Sequence, residues 1–143
     1  MCAWLTCLCQ TVSSAIIFTI SPSSISNQYL GPITLQIGGL TNGETVVVQK
    51  FMDANANGVV DSGEWLVQQF QLTDGQGSPV ISGVTNINVP GDLDPVSGAI
   101  TAQLNLPAEG IVQKFVGQHI FVVSSPTGHF APTNTLFNVT NSA

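Results

Sequence analysis

Asp53, Asn55, Asn57, Asp61 and Glu64 lie within one twelve-residue run, Asp53-Ala-Asn55-Ala-Asn57-Gly58-Val59-Val60-Asp61-Ser62-Gly63-Glu64. Their types and spacing fit the calcium-loop pattern D-x-[DN]-x-[DN]-G-x5-E without a gap. Calcium is a hard cation that takes six to eight oxygen ligands, and a loop of this kind supplies them from one short segment. Asp53, Asn55 and Asn57 offer side-chain oxygens at the first, third and fifth positions. Gly58 permits the sharp turn at the sixth, and Val59 offers its backbone carbonyl at the seventh. Asp61 stands at the ninth position, where ligation often runs through water, and Glu64 closes the loop with two carboxylate oxygens. Asn, Asp and Gly also gather in plain turns for local reasons. A plain turn, however, has no use for Asp at the ninth position and Glu at the twelfth. The expected cofactor is therefore Ca2+, held by Asp53, Asn55, Asn57, Val59, Asp61 and Glu64.

The elements that position this loop read as strands. Residues 16–20, 33–37, 45–52, 65–72, 84–89, 99–106, 118–124 and 136–140 are β-prone runs, and no helical period competes with them. Breakers with defined turn preferences separate them, among them Ser21-Pro22, Asn42-Gly43, Asp74-Gly75, Pro90-Gly91 and Pro126-Thr127-Gly128. Ile33, Leu35 and Ile37 alternate with Thr34 and Gln36, while Ile100, Ala102, Leu104 and Leu106 alternate with Thr101, Gln103 and Asn105. Half-buried antiparallel strands produce this pattern. The expected fold class is all-β: a two-sheet antiparallel sandwich, immunoglobulin-like or jelly-roll-like, with the calcium loop between two strands. In an EF-hand the same loop joins two helices and acts as a sensor. Here Thr45–Met52 and Trp65–Leu72 flank it, so it is expected to staple strands. Gly91-Asp92-Leu93-Asp94-Pro95 is the nearest candidate for a second ion, and a turn is the simpler reading of it.

Phe51-Met-Asp53-Ala-Asn55-Ala-Asn57-Gly58-Val-Val-Asp61-Ser-Gly63-Glu64 resembles the F-x-D-x-N-x-N-G-x-x-D-x-G-E signature of bacterial cell-surface β-sandwich modules, the B-type repeats of staphylococcal-like adhesins. The resemblance covers Phe51 to Glu64, about a tenth of the chain, and downstream the family's glycine-and-valine continuation is replaced by Trp65-Leu66-Val67-Gln68. It implies a secreted module whose loop binds calcium and stiffens a surface stalk. Phe18-Thr-Ile-Ser-Pro22-Ser-Ser similarly resembles the first strand of bacterial immunoglobulin-like domains of the IPT type.

Composition narrows the partners. The chain has 143 residues, eight acidic side chains and only two lysines, Lys50 and Lys114, with no arginine. Nucleic-acid binding and adhesion to anionic lipid both need cationic side chains, so neither is expected. The polar surface must come from Ser, Thr, Asn and Gln, which repel copies of the same chain only weakly. Cys2, Cys7 and Cys9 all lie in the first ten residues. They make no disulfide framework, and C-x-C without further ligands makes no zinc site. Met1 to Phe18 is apolar with a small-residue run at Ser13-Ser14-Ala15, which reads as a secretory signal that lacks a basic start. Residues 1–15 are thus expected to be a signal or hydrophobic extension and 16–143 a single β-sandwich domain. The mature form is expected to be extracellular and to have no membrane span.

No catalytic constellation accompanies the two histidines. His119 reads as a strand residue at a sheet surface, and His129 as a loop residue with one ring nitrogen satisfied. Nothing around them forms a nucleophile elbow, a Cys/His pair or a phosphate loop, so no enzymatic role is expected. Asn138-Val-Thr140 is a glycosylation sequon, meaningful in a host that glycosylates secreted proteins. The expected function is a calcium-stabilised structural subunit that self-assembles into a surface layer, filament or tube, its partners being copies of itself. Ala15, Ile16, Ile17, Phe18, Thr19 and Ile20 form the candidate assembly strand, able to add to an open sheet edge. The alternative is a monomeric adhesion or carbohydrate-binding module, with Trp4, Trp65 or Tyr29 as a stacking platform.

Overall fold

The computed structural model describes residues 15–86, 89–105 and 115–142. The candidate signal up to residue 14, the three cysteines, Trp4, Leu106 and Lys114 lie outside them. Ten strands follow in order: β1 (Ile17–Ser21), β2 (Ser24–Ser26), β3 (Ile33–Gly38), β4 (Thr45–Asp53), β5 (Trp65–Thr73), β6 (Val80–Ile81), β7 (Val84–Thr85), β8 (Ala99–Leu104), β9 (Gly117–Ser124) and β10 (Thr133–Thr140). They build a three-stranded sheet, β1-β3-β8, a five-stranded sheet, β2-β10-β9-β4-β5, and a small β6-β7 hairpin. The result is the expected all-β sandwich. Among the described residues no helix is long and apolar enough to cross a membrane.

Side-chain alternation explains the layering. Ile33, Leu35 and Ile37 of β3, with Ile100, Ala102 and Leu104 of β8, are all buried. They meet Val46, Val48, Leu72, Phe121, Val123, Phe137 and Val139 from the larger sheet in one core cluster. Their polar neighbours Thr34, Gln36, Thr101 and Gln103 are less buried or exposed. Period-two patterning thus places one face of each sheet inward.

Three local features depart from the sequence reading. Of the expected strand 84–89, residues 87 and 88 lie outside the described residues; Val84–Thr85 is a strand, and Ser82 (φ 52°) and Gly83 (φ 80°) turn it back onto Val80–Ile81. Two successive positive-φ residues are what a tight hairpin turn requires. Second, Ser24–Ser26 lies in a stretch that reads as a turn, yet it pairs in parallel with β10. Third, His119 is not at a sheet surface: it is fully buried. It pairs with Phe137 on one side and Met52 on the other, and its ring meets Phe137 edge-on at 6.3 Å.

The free flank of β8 is partly covered by its own loop. Leu93 N donates to Thr101 O at 2.8 Å, and Thr101 N donates to Asp92 Oδ1 at 3.0 Å. Asp92 Oδ1 also accepts Asp94 N, and Asp92 Oδ2 accepts Gly75 N. Asp94 in turn accepts Val96 N and the Thr101 hydroxyl. Residues 91–95 are therefore an irregular segment held by the Asp92 and Asp94 carboxylates, which accept backbone and hydroxyl donors.

Candidate metal centre

β4 ends at Asp53 and β5 begins at Trp65, with Met52 opposite Trp65 and a register shift between Lys50 and Phe51. The candidate loop is thus the closure of a β-hairpin between two strands. Gly58 has φ 78°, the left-handed conformation that a side chain resists. A Cβ there would touch Leu136 at 3.7 Å, so the turn packs close to the outer surface of β10. Ala56 also adopts positive φ, at 55°.

The loop's oxygens are drawn together by its own donors. Asp53 is 3% exposed. Its Oδ2 accepts Gly58 N at 2.8 Å and Gln118 Nε2 at 2.7 Å, and its Oδ1 accepts Asn57 N at 3.2 Å. Burial pushes the Asp53 carboxyl up, but the bonds from Gly58, Gln118 and Asn57 outweigh it and hold the group below its ordinary value. Asp61 Oδ2 accepts both carboxamides, from Asn55 at 2.8 Å and Asn57 at 2.7 Å. Asn55 Oδ1 accepts Asn57 N, and Asn57 Oδ1 accepts Val59 N. Glu64 spans the loop: Oε1 accepts Ala54 N and Oε2 accepts Asp61 N, both at 3.0 Å.

Calcium requires oxygen donors, a sharp turn and free lone pairs. The first two are present. Glu64 Oε1 accepts Ala54 N and Oε2 accepts Asp61 N, and a carboxylate oxygen has a second lone pair to offer for two-point ligation. Asp61 and the two asparagines are turned onto one another, however. Among the described residues no three His, Cys, Asp or Glu side chains converge as a ligand group. Metal entry therefore requires both carboxamides to rotate, replacing their NH2 groups by oxygens. The donor chemistry fits calcium, with side-chain rotation as the remaining step.

The other candidate residues are dispersed. In the assembly segment, Ala15 and Ile16 precede β1, and Ile17–Ser21 pairs with β3 of the same chain. Phe18 and Ile20 point into that chain's own core, whereas Ile17 is exposed and Thr19 points outward with it. His129 Nδ1 lies 3.2 Å from Glu44 Oε1, as expected of a satisfied loop histidine. Glu44 was not singled out by any sequence motif. Its Oε2 accepts Thr41 N and Oγ1, and its Oε1 also receives the Ser125 hydroxyl at 3.5 Å. Ser125 Oγ accepts His129 N, so the serine hydroxyl and the imidazole share one carboxylate. That geometry ties the β9–β10 connection to the turn before β4.

Lys50 occupies an unexpected place. It is 1% exposed, with Nζ 5.1 Å from the Phe137 ring centre and 5.3 Å from that of Phe121. The described part of the surface therefore carries no lysine or arginine. Trp65, by contrast, is 69% exposed and borders a cleft of about 290 Å³ with Met52, Ala54, Gly63 and Glu64.

Neither a protein-family model nor a curated protein sequence matches the chain. Among solved structures, macromomycin is similar at 18% identity and a TM-score of 0.46, covering 90% of this chain and 100% of that one.

Proposed function

We propose that the protein is an extracellular, calcium-stabilised β-sandwich subunit that assembles with copies of itself. The observation that carries the proposal is the strand-closing loop in which Asp53, Asp61 and Glu64 accept backbone and carboxamide donors. Three carboxylates bring a local charge of about −3, and a divalent ion reduces it to about −1. Drawing the three carboxylates around one site without an ion would set like charges against one another. Relief of that repulsion favours ion uptake and a fixed loop. Asp53, Asn55, Asn57, Asp61, Glu64 and the Val59 carbonyl would hold the ion, which supplies charge neutralisation and a rigid link between β4 and β5.

Assembly is supported by the surface. Net charge is −6, yet the described surface offers Ser, Thr, Asn and Gln together with exposed Ile17, Trp65, Leu66, Val80, Ile81 and Val84. Since Phe18 and Ile20 fill their own core, the segment Ala15–Ile20 serves better as an edge to build on than as a strand to donate. β1 ends its sheet in the described strand order, and edge strands are templates for added strands. Sedimentation velocity of the secreted chain in calcium and in chelator tests the proposal. Calcium-dependent polymer is expected, and a monomer across millimolar calcium at high protein concentration overturns it. The exposed Trp65 beside the Glu64 cleft favours the second reading, a monomeric module that binds neutral carbohydrate by stacking. Saturable binding of a neutral oligosaccharide, lost in Trp65→Ala, would select it.

A further inference from the structure

Gln118 belongs to no calcium-loop pattern, yet it makes a short contact, 2.7 Å, to the loop's first ligand. The register of β4 and β9 sets Asp53 opposite Gln118, and Gln118 Nε2 donates to Asp53 Oδ2 at 2.7 Å across 65 positions of sequence. Gly58 N donates to the same oxygen at 2.8 Å. A carboxylate oxygen has two lone pairs, so these two bonds occupy Oδ2. Asn57 N donates to Oδ1 at a longer 3.2 Å, and Ala56 N also bonds the carboxylate; displacing these weaker loop donors would open Oδ1 to a cation.

We propose that Gln118 is a positioning residue of the calcium site, orienting Asp53 to ligate through Oδ1 alone and linking ion binding to β9. This inference rests on the calcium reading above. A ligand carboxylate held by a strand residue cannot rotate to meet the ion from another side. Its fixed orientation lowers the ordering needed on binding, and hydrogen-bonded partners of metal ligands commonly matter for this reason. A second tie comes from β10, where Asn134 Nδ2 reaches Gly58 O at 3.4 Å. An ion in the loop would thus stiffen β4, β9 and β10 together, beyond the hairpin that the motif itself joins.

The test uses the full chain with calcium alone as the probe. Gln118→Ala and the shape-preserving Gln118→Met are compared with wild type and with Gln49→Ala, which removes a β4 glutamine whose carboxamide donates to Gln69. Calorimetry should show affinity weakened about 10–100-fold in both Gln118 variants, with wild-type values in Gln49→Ala. Hydrogen exchange should show calcium-induced protection of β9 amides in wild type that is lost in the Gln118 variants, a readout that general destabilisation does not produce. Gln118→Glu should also weaken binding, because a carboxylate at neutral pH donates nothing to Asp53; tighter binding there overturns the donor role. Calcium affinity within twofold of wild type in Gln118→Met overturns this inference alone. A wild-type chain that takes up no calcium overturns the calcium reading and this inference with it.

Discussion

Replacing Lys50 by alanine and by methionine separates what its stem does from what its charge does. Lys50 is 1% exposed, and its ammonium lies 5.1 Å from one phenylalanine ring and 5.3 Å from another. Each such cation–π contact is worth about 0.5–2 kcal/mol, while removing an ammonium from water costs several kcal/mol. Those opposing contributions vanish together in both variants, so they cancel in the comparison. What differs is the stem. Methionine supplies three heavy atoms beyond Cβ where alanine supplies none, and each buried methylene is worth about 0.8 kcal/mol. Lys50→Ala should therefore be less stable than Lys50→Met by about 2–3 kcal/mol, with any cavity left behind adding to the gap. Urea unfolding followed by fluorescence measures it, provided the slopes of the two variants agree. Equal midpoints within error would refute the packed-stem placement and return Lys50 to the surface. With it would go the physical reason for excluding anionic partners from this part of the molecule.

Further outcomes follow from the same structure. Gly58→Ala places a side chain at φ 78° and should cost on the order of 1 kcal/mol or more, read as a lowered melting temperature and weaker calcium uptake. Glu64→Gln should weaken calcium binding more than Asn55→Ala, because it removes a charged, two-oxygen ligand; calorimetry on both variants decides. Stability should fall on acidification for two reasons. For Glu44, burial raises the carboxyl, but hydrogen bonds from Thr41 and the pairing with His129 bring it below its ordinary 4.5. Its contribution is present above pH 4.5 and is lost as pH falls through the lowered value. For His119, burial lowers the imidazole below its ordinary 6.5, helped by the Lys50 charge and opposed by the bond to Phe115 O. The unfolded chain then takes up the proton first, so stability falls as pH drops below 6.5. Unfolding midpoints across pH 4–8 should show both effects, and His119→Phe should flatten the upper part of the profile.

Much of the framework was legible because strand periodicity is local. Ile33, Leu35, Ile37, Ile100, Ala102 and Leu104 announced their inward face before any partner was known. The breakers Asn42-Gly43 and Asp74-Gly75 likewise marked the turns beside β4 and β5. What remained hidden depends on partners distant in sequence. Ser24-Ile25-Ser26 has the composition of a turn, and only pairing with β10 makes it a strand. His119 read as a sheet-surface residue, yet its neighbours across the sheet are Phe137 and Met52, and Lys50, on which the motifs are silent, lies opposite Phe121. The candidate site shows the same division. Its ligand spacing is written in one segment, whereas Gln118 and Asn134 reach it from β9 and β10 and no motif includes them. Glu44, Ser125 and His129 meet through tertiary folding alone.

Titration of calcium into the intact chain by calorimetry, with Glu64→Gln alongside, tests the central claim most directly. Expected is saturable uptake of a single ion by the wild-type chain within the range known for calcium loops, submicromolar to millimolar, and a clear loss of affinity in Glu64→Gln. Absence of uptake at millimolar calcium, or uptake unchanged in Glu64→Gln, contradicts it.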